Sequence, residues 1–197
     1  LLTGDDFKSE NLKEIFRLLP VPFIIKPADR GSSIDVCFIR SFENLFDVYE
    51  KFAKYPKVMV EEFIDGTEAT VAVIEKYRGN EIYSLFPLVI NKPTGTEIYD
   101  YNLKYQGGSE YIFPDNIPAF VRDEIQRMAR EAHKALNLRH YSRSDFIIHP
   151  RRGVYILETN SLPGMTENSL LPKSLVHVGA SVDDFVEHIV ELAKNQK

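Results

Sequence analysis

The spacing of apolar residues divides the chain into short strands and amphipathic helices. A polar opening over residues 6–19 has helical character, and Val21-Pro22-Phe23-Ile24-Ile25-Lys26 reads as a short buried strand that Pro27 ends. Ser41 is placed to cap a helix in which Phe42, Leu45, Phe46, Tyr49 and Phe52 recur at helical spacing. Val58-Met59-Val60 predicts another strand, running into Glu61-Glu62-Phe63-Ile64-Asp65-Gly66. Residues 69–75 and 81–90 predict a hairpin around Arg78-Gly79-Asn80.

Residues 91–115 break this pattern. They are rich in Gly and Tyr, lack periodicity and are long for a connection, as lids are. Periodicity resumes near Pro118, with Val121, Ile125, Met128, Ala132 and Leu136 along one helical face. A second hairpin follows, then a loop around Pro163-Gly164 and a closing helix from about Ser181. Strands and helices do not alternate strictly, so the expected class is α+β with mainly antiparallel sheets.

That second hairpin holds the densest chemistry. Residues 143–149 and 154–160 flank Pro150-Arg151-Arg152-Gly153. If those four residues form the loop, His149 faces Val154, Asp145 faces Glu158 and Arg143 faces Asn160. All four polar side chains then share one face at the open end. Opposed Cβ atoms lie about 5 Å apart, and two bare carboxylates there repel by about 3 kcal/mol at an effective dielectric of 20. A divalent cation removes that penalty, and an all-oxygen Asp/Glu/Asn set suits magnesium or manganese better than zinc. Such a cation keeps waters and takes nucleotide phosphates as further ligands. The alternative is a solvated hairpin end with a salt bridge from Arg143. Apolar residues on both faces (Ile147, Val154 and Ile156; Phe146, Ile148 and Leu157) predict a central hairpin.

Composition narrows the classes further. With 44% hydrophobic and 27% charged residues in 197, the chain is an ordinary globular one, and its net charge of -5 argues against nucleic-acid binding. The single Cys37 permits no internal disulfide and points to a reducing compartment, which gives a cytoplasmic expectation. It sits in the apolar run Val36-Cys37-Phe38-Ile39 and reads as a small core residue. No apolar run is long enough to span a membrane. A start at Leu1-Leu2-Thr3, without methionine, suggests a fragment.

Three weaker constellations accompany the hairpin. Lys26-Pro27-Ala28-Asp29-Arg30-Gly31-Ser32-Ser33 sets a lysine at a strand end before a Gly-Ser-Ser loop, which can wrap phosphate but by itself reads more readily as an ordinary turn. It is not a Walker A motif. Glu61-Glu62-Phe63-Ile64 with Glu68 can hold an adenine edge and a ribose, or can be an edge strand with solvated charges. In residues 99–108, Lys104, several aromatics and Gly107-Gly108 suit a lid that carries a cation, or a flexible surface loop. The five scattered histidines form no zinc-ligand spacing, and neither Gly-x-Ser-x-Gly nor a Cys/His nucleophile pair occurs. His133 and His188 fall in predicted helices and need no functional role.

Taken in order, these motifs resemble the D-alanine–D-alanine ligases of the ATP-grasp superfamily. The strongest stretch runs Glu158-Thr159-Asn160-Ser161-Leu162-Pro163-Gly164-Met165-Thr166-Glu167-Asn168-Ser169-Leu170-Leu171-Pro172. Ser142-Arg143-Ser144-Asp145-Phe146, the Lys26…Gly31-Ser32-Ser33 loop and Tyr99-Asp100-Tyr101-Asn102-Leu103-Lys104-Tyr105 match too. The resemblance implies an ATP-grasp fold with a smaller lobe over residues 1–62 and a larger one over 63–197 that holds the lid (about 91–115) and the metal site. It implies ATP-driven joining of two D-alanines through an acylphosphate, for peptidoglycan precursors. By matching position, Asp145, Glu158 and Asn160 would hold two magnesium ions, with manganese a substitute. Lys26 and Lys104 would contact phosphates, with Ser32 and Ser33 in the phosphate loop; Glu61 and Ile64 would contact adenine, and Glu68 the ribose. Arg143 and the Gly164 N–H would stabilise the oxyanion. Ser169 and Leu170 would hold the second alanine's carboxylate, while Ser32 and Tyr105 would lie near the first. Tyr105 favours an amine as second nucleophile. A homodimer is frequent in the family.

Departures from the family pattern qualify these expectations. In the family an α/β domain that recognises the first D-alanine precedes this region and a further ATP-contacting lysine lies upstream of Lys26, and these 197 residues do not include them. Asp35 stands where the family usually has glycine, and Glu62 where lysine is frequent. The chain is therefore expected to bind Mg-ATP and to be weak or inactive as a ligase by itself. Two alternatives stay open: a related ATP-grasp ligase, including a D-alanine–D-lactate ligase, and a non-catalytic ATP-binding module.

Overall fold

A computed structural model describes residues 1–31, 34–91, 110–114 and 117–195. The described residues divide into two compact units, Leu1–Ile64 and Asp65–Asn91 with Glu110–Lys197.

The first unit begins with a 3-10 turn at Gly4–Asp6 and the short helix α1, Leu12–Arg17, where an unbroken helix over residues 6–19 was expected. Three strands follow, β1 (Phe23–Pro27), β2 (Cys37–Ile39) and β3 (Val58–Glu62), in the antiparallel order β2-β1-β3. Between the last two lies α2, Phe42–Phe52, capped as expected by Ser41, whose Oγ accepts from the Asn44 N–H. Leu45 and Phe52 of α2 join Phe7, Leu12, Phe23, Ile25 and Val58 in one core. Phe46, expected inside, is 54% exposed and lies against Tyr49 instead.

The second unit is built on β4 (Thr67–Glu75). Strands β5 (Ile82–Ser84) and β6 (Leu88–Asn91) share one of its edges, and β8 (Tyr141–His149) pairs along the other. With β7 (Glu110–Ile112) beyond β6 and β9 (Gly153–Asn160) beyond β8, the sheet order is β7-β6-β4-β8-β9. Strand pairs in both sheets are antiparallel among the described residues. The α+β expectation holds.

Alternation along β4 assigns its two faces. Ala69, Val71 and Val73 pack with Phe146 against Ile125 and Ala129 of α3, Ala119–Ala135. Leu136, expected on that helical face, is instead an exposed C-cap. Ala72 and Ile74 on the opposite face pack with Leu171, Leu175 and Phe185 of the last two helices, α4 (Leu170–His177) and α5 (Val182–Lys194). Ser181 caps α5 through the Asp184 N–H. Ring contacts fasten α4 to the β7 side: the Lys173 ammonium lies 4.5 Å from the Tyr111 ring centre, and His177 stacks on Phe113 at 3.6 Å.

Candidate active site

Cross-strand register builds the site. Thr70 pairs with Asp145, and Asp145 with Glu158; in the next row Ala72 pairs with Arg143, and Arg143 with Asn160. Directly paired residues share a face, and Glu68 lies two residues before Thr70 on the same side. One sheet face therefore carries Glu68, Thr70, Arg143, Asp145, Glu158 and Asn160. Its other end is the apolar surface covered by α4 and α5.

The loop of the β8–β9 hairpin differs from the expectation. Three residues, Pro150 to Arg152, make the turn, and Gly153 sits at φ +88 and pairs with His149. Val154 consequently faces Ile148 and not His149. In that register Asp145 would oppose Leu157, and Glu158 would project from the far face. A β-bulge between the Asp145 and Phe146 pairings takes up one residue and restores Asp145 opposite Glu158. The expected pairing at the open end holds, by a different route. The hairpin is also only half central, since β9 is the sheet edge and Ile156 and Leu157 are each 40% exposed.

Asp145 is the hub of the polar cluster. Arg143 donates to both of its carboxylate oxygens, Nε to Oδ1 at 3.0 Å and Nη2 to Oδ2 at 2.9 Å. The Thr70 hydroxyl donates to Oδ1 at 2.6 Å, and Asn160 Nδ2 donates to Oδ2 at 3.3 Å. Asn160 Nδ2 also lies 3.5 Å from Glu158 Oε1. Thr70 was not anticipated from the sequence. No group of three or more His, Cys, Asp or Glu side chains able to hold a metal occurs among the described residues. By donor chemistry, two carboxylates and an amide oxygen suit a hard cation that takes its remaining oxygens from water and phosphate better than they suit a closed structural metal site.

Beyond the hairpin, Gly164 and Ser169 come together. A Cβ built on Gly164 would lie 2.8 Å from Ser169 Oγ. That oxygen also accepts from the Thr166 N–H at 3.1 Å and lies 2.8 Å from the Thr166 hydroxyl. The loop is thus folded around one serine hydroxyl, immediately before α4. Leu170 is the first residue of that helix.

In the first unit, Lys26 and Glu61, expected to serve different parts of a nucleotide, form an ion pair at 2.6 Å. Ile64 is buried. Asp35 lies at φ +59, in the left-handed region where glycine is least strained, which accounts for glycine as the usual residue there. Its carboxylate is held by the Tyr55 hydroxyl and by Lys51 Nζ at 2.9 Å, and these contacts lower its pKa. Burial raises the Cys37 pKa, in keeping with a packing role. Ser32, Ser33, Lys104 and Tyr105, and the lid expected over residues 91–115 apart from its ends, lie outside the described residues.

A family model described as the D-ala D-ala ligase C-terminus matches residues 1–191. The chain belongs to this family. A D-alanine–D-alanine ligase from Francisella tularensis subsp. novicida is 39% identical over 173 residues, which cover 88% of this chain and 56% of that protein. The chain thus spans little more than half the length of the curated relatives it matches. Among solved structures, D-alanyl-alanine synthetase A from Vibrio cholerae shares the fold with a TM-score of 0.79 at 27% identity, over 96% of this chain and 56% of that one. The D-alanine–D-alanine ligase from Bacillus anthracis complexed with ATP gives 0.71 at 27%, over 93% and 57%. The D-Ala:D-Ser ligase VanG from Enterococcus faecalis gives 0.76 at 28%, over 93% and 52%. The ATP-grasp architecture expected from the motifs is the fold of this family. No helix among the described residues is long and apolar enough to cross a membrane.

Proposed function

We propose that this chain carries the Mg-ATP and second-substrate portion of an ATP-dependent ligase that joins two D-alanines for peptidoglycan precursors. The observation that supports this most is the single sheet face holding Arg143, Asp145, Glu158 and Asn160, in a chain of this family. Asp145, Glu158 and Asn160 would hold magnesium, or manganese in its place, and the bound ions would neutralise phosphate charge during acylphosphate formation. Lys26 supplies a cation for a phosphate oxygen, Glu61 and Ile64 contact adenine, and Glu68 accepts from the ribose. Lys104 and the Ser32-Ser33 loop serve the phosphates in the same scheme.

When the amine of the second D-alanine attacks the acylphosphate carbonyl, negative charge gathers on that oxygen. The Arg143 guanidinium and the Gly164 N–H are the donors for it, and the absence of a Cβ at Gly164 leaves room beside Ser169. Ser169 and Leu170 at the start of α4 hold the carboxylate of the second D-alanine, where the helix N-terminus adds backbone donors. Ser32 and Tyr105 attend the first. The D-Ala:D-Ser ligase among the structural neighbours makes D-serine a second candidate nucleophile; 39% identity to a D-alanine–D-alanine ligase favours D-alanine. From the family we further infer a cytoplasmic protein and a homodimer, the latter to be tested by light scattering.

Phosphate release from Mg-ATP, compared with D-alanine, D-serine, D-lactate, L-alanine and no acceptor, tests the proposal. Stimulation by D-alanine alone is the expected result for the gene product. The 197-residue chain alone is expected to bind Mg-ATP and turn over slowly. Tight ATP binding with no acceptor-stimulated release in either form would overturn the ligase assignment in favour of a binding module.

A further inference from the structure

We propose that Thr70 is a positioning residue for the metal site, fixing the carboxylate of Asp145 in the orientation that receives the cation. The inference rests on Asp145 being a metal ligand, as proposed above, and adds a residue 75 positions away in sequence. Thr70 is 1% exposed, and its single hydroxyl proton has two acceptors within reach. Asp145 Oδ1 lies at 2.6 Å and the Ser144 carbonyl at 3.2 Å. The shorter contact, to a charged acceptor, takes the proton.

Among the described residues three side chains hold Asp145, and they differ in what a cation does to them. Arg143 is cationic and is repelled by a divalent ion at the carboxylate it grips. Asn160 is itself an expected ligand, and presents its oxygen to a metal only by giving up the Nδ2 contacts it makes with Asp145 and Glu158. Thr70 is neutral, unlike Arg143, and is not an expected ligand, unlike Asn160; it remains compatible with a metal-bound carboxylate, because the lone pair that Asn160 gives up on Asp145 is left for the cation. Its backbone is paired on both sides, as is that of Arg143, whereas Asn160 ends the edge strand β9. Unlike the long Arg143 side chain, that of Thr70 is short, β-branched and stiff at χ1. Outer partners of this kind orient a ligating carboxylate, and their loss typically lowers metal affinity about 10- to 100-fold.

The test compares Thr70→Val, which keeps the shape and removes the hydroxyl, with Thr70→Ser, which keeps the hydroxyl. Mn(II) binding to the chain, with and without ATP, is followed by the loss of free Mn(II) electron paramagnetic resonance signal. Expected are about 10-fold weaker Mn(II) binding for the Val variant, near wild-type binding for the Ser variant, and unchanged thermal unfolding of the metal-free proteins for Ser. If the Val variant fails to fold, Thr70→Ala removes the hydroxyl with less crowding and is read the same way. Wild-type Mn(II) affinity in a folded Val or Ala variant, or equal weakening by Ser and Val, overturns the proposal. So does a wild-type chain that binds no Mn(II). The readout needs no turnover, so a failed D-alanine assay with Thr70-dependent Mn(II) binding would sink the ligase assignment and leave this inference standing.

Discussion

Removing either partner of the Arg143–Asp145 pair should have unequal effects. Their side chains are each 17% exposed, and the bidentate contact runs at 2.9 to 3.0 Å. With charge centres about 4 Å apart, the attraction is about 4 kcal/mol at an effective dielectric of 20. Glu158, directly opposite Asp145 across the hairpin, repels it by about 3 kcal/mol at about 5 Å. In Asp145→Asn both terms vanish, and the amide oxygen can still accept from Thr70, so the net cost is about 1 to 2 kcal/mol. In Arg143→Met the attraction is lost and the repulsion stays, so the cost rises to about 3 to 4 kcal/mol. A divalent cation reverses this order. Saturating Mg-ATP should recover most of the stability of Arg143→Met and none of that of Asp145→Asn, which lacks the anionic ligand. Urea unfolding of both variants, with and without Mg-ATP, measures all four numbers. Equal destabilisation without metal, or equal recovery with it, would refute the reasoning that Glu158 offsets the ion pair.

Further outcomes follow from the same geometry. Gly164→Ala places a Cβ 2.8 Å from Ser169 Oγ, so the Ser169 hydroxyl must turn away or the loop must shift; the gene product should lose about 10-fold or more in kcat/KM for the second substrate while Mn(II) binding is unchanged. Burial lowers the His133 pKa below its ordinary 6.5, against the opposing pull of Glu75. The unfolded chain then takes up a proton that the folded chain does not, and stability should fall as pH drops from 6.5 towards the folded value. Denaturant midpoints at pH 8, 6.5 and 5.5 check this, and His133→Gln should flatten the profile.

The two strands that carry the candidate ligands were legible because a hairpin is local: turn residues and alternation place Asp145 and Glu158 together within fourteen positions. The bulge was not legible, since nothing in Leu157 distinguishes it from a regularly paired strand residue. Its effect cancelled the misplaced loop. Thr70 escaped for the opposite reason. Its pairing with Asp145 joins segments 75 residues apart, and only the assembled sheet sets that register. Helix α2 shows the limit of periodicity, because Phe46 fits the spacing yet faces outward beside Tyr49. His133 read as a helix residue with no role. It is 1% exposed, its Nδ1 lies 2.8 Å from the Ser142 hydroxyl, and its Nε2 lies 3.6 Å from Glu75. That cluster, too, is assembled from three separate elements.

The bulge in β9 works as an expansion joint. On its turn side the hairpin obeys one register, and on its site side another, so the two ends need not move in step. A residue lost from the Pro150–Arg152 turn could be taken up by straightening the bulge, leaving three residues in the loop and Asp145 opposite Glu158. The tip of this hairpin is therefore a place where the chain can shorten by one residue without disturbing the carboxylates at its other end.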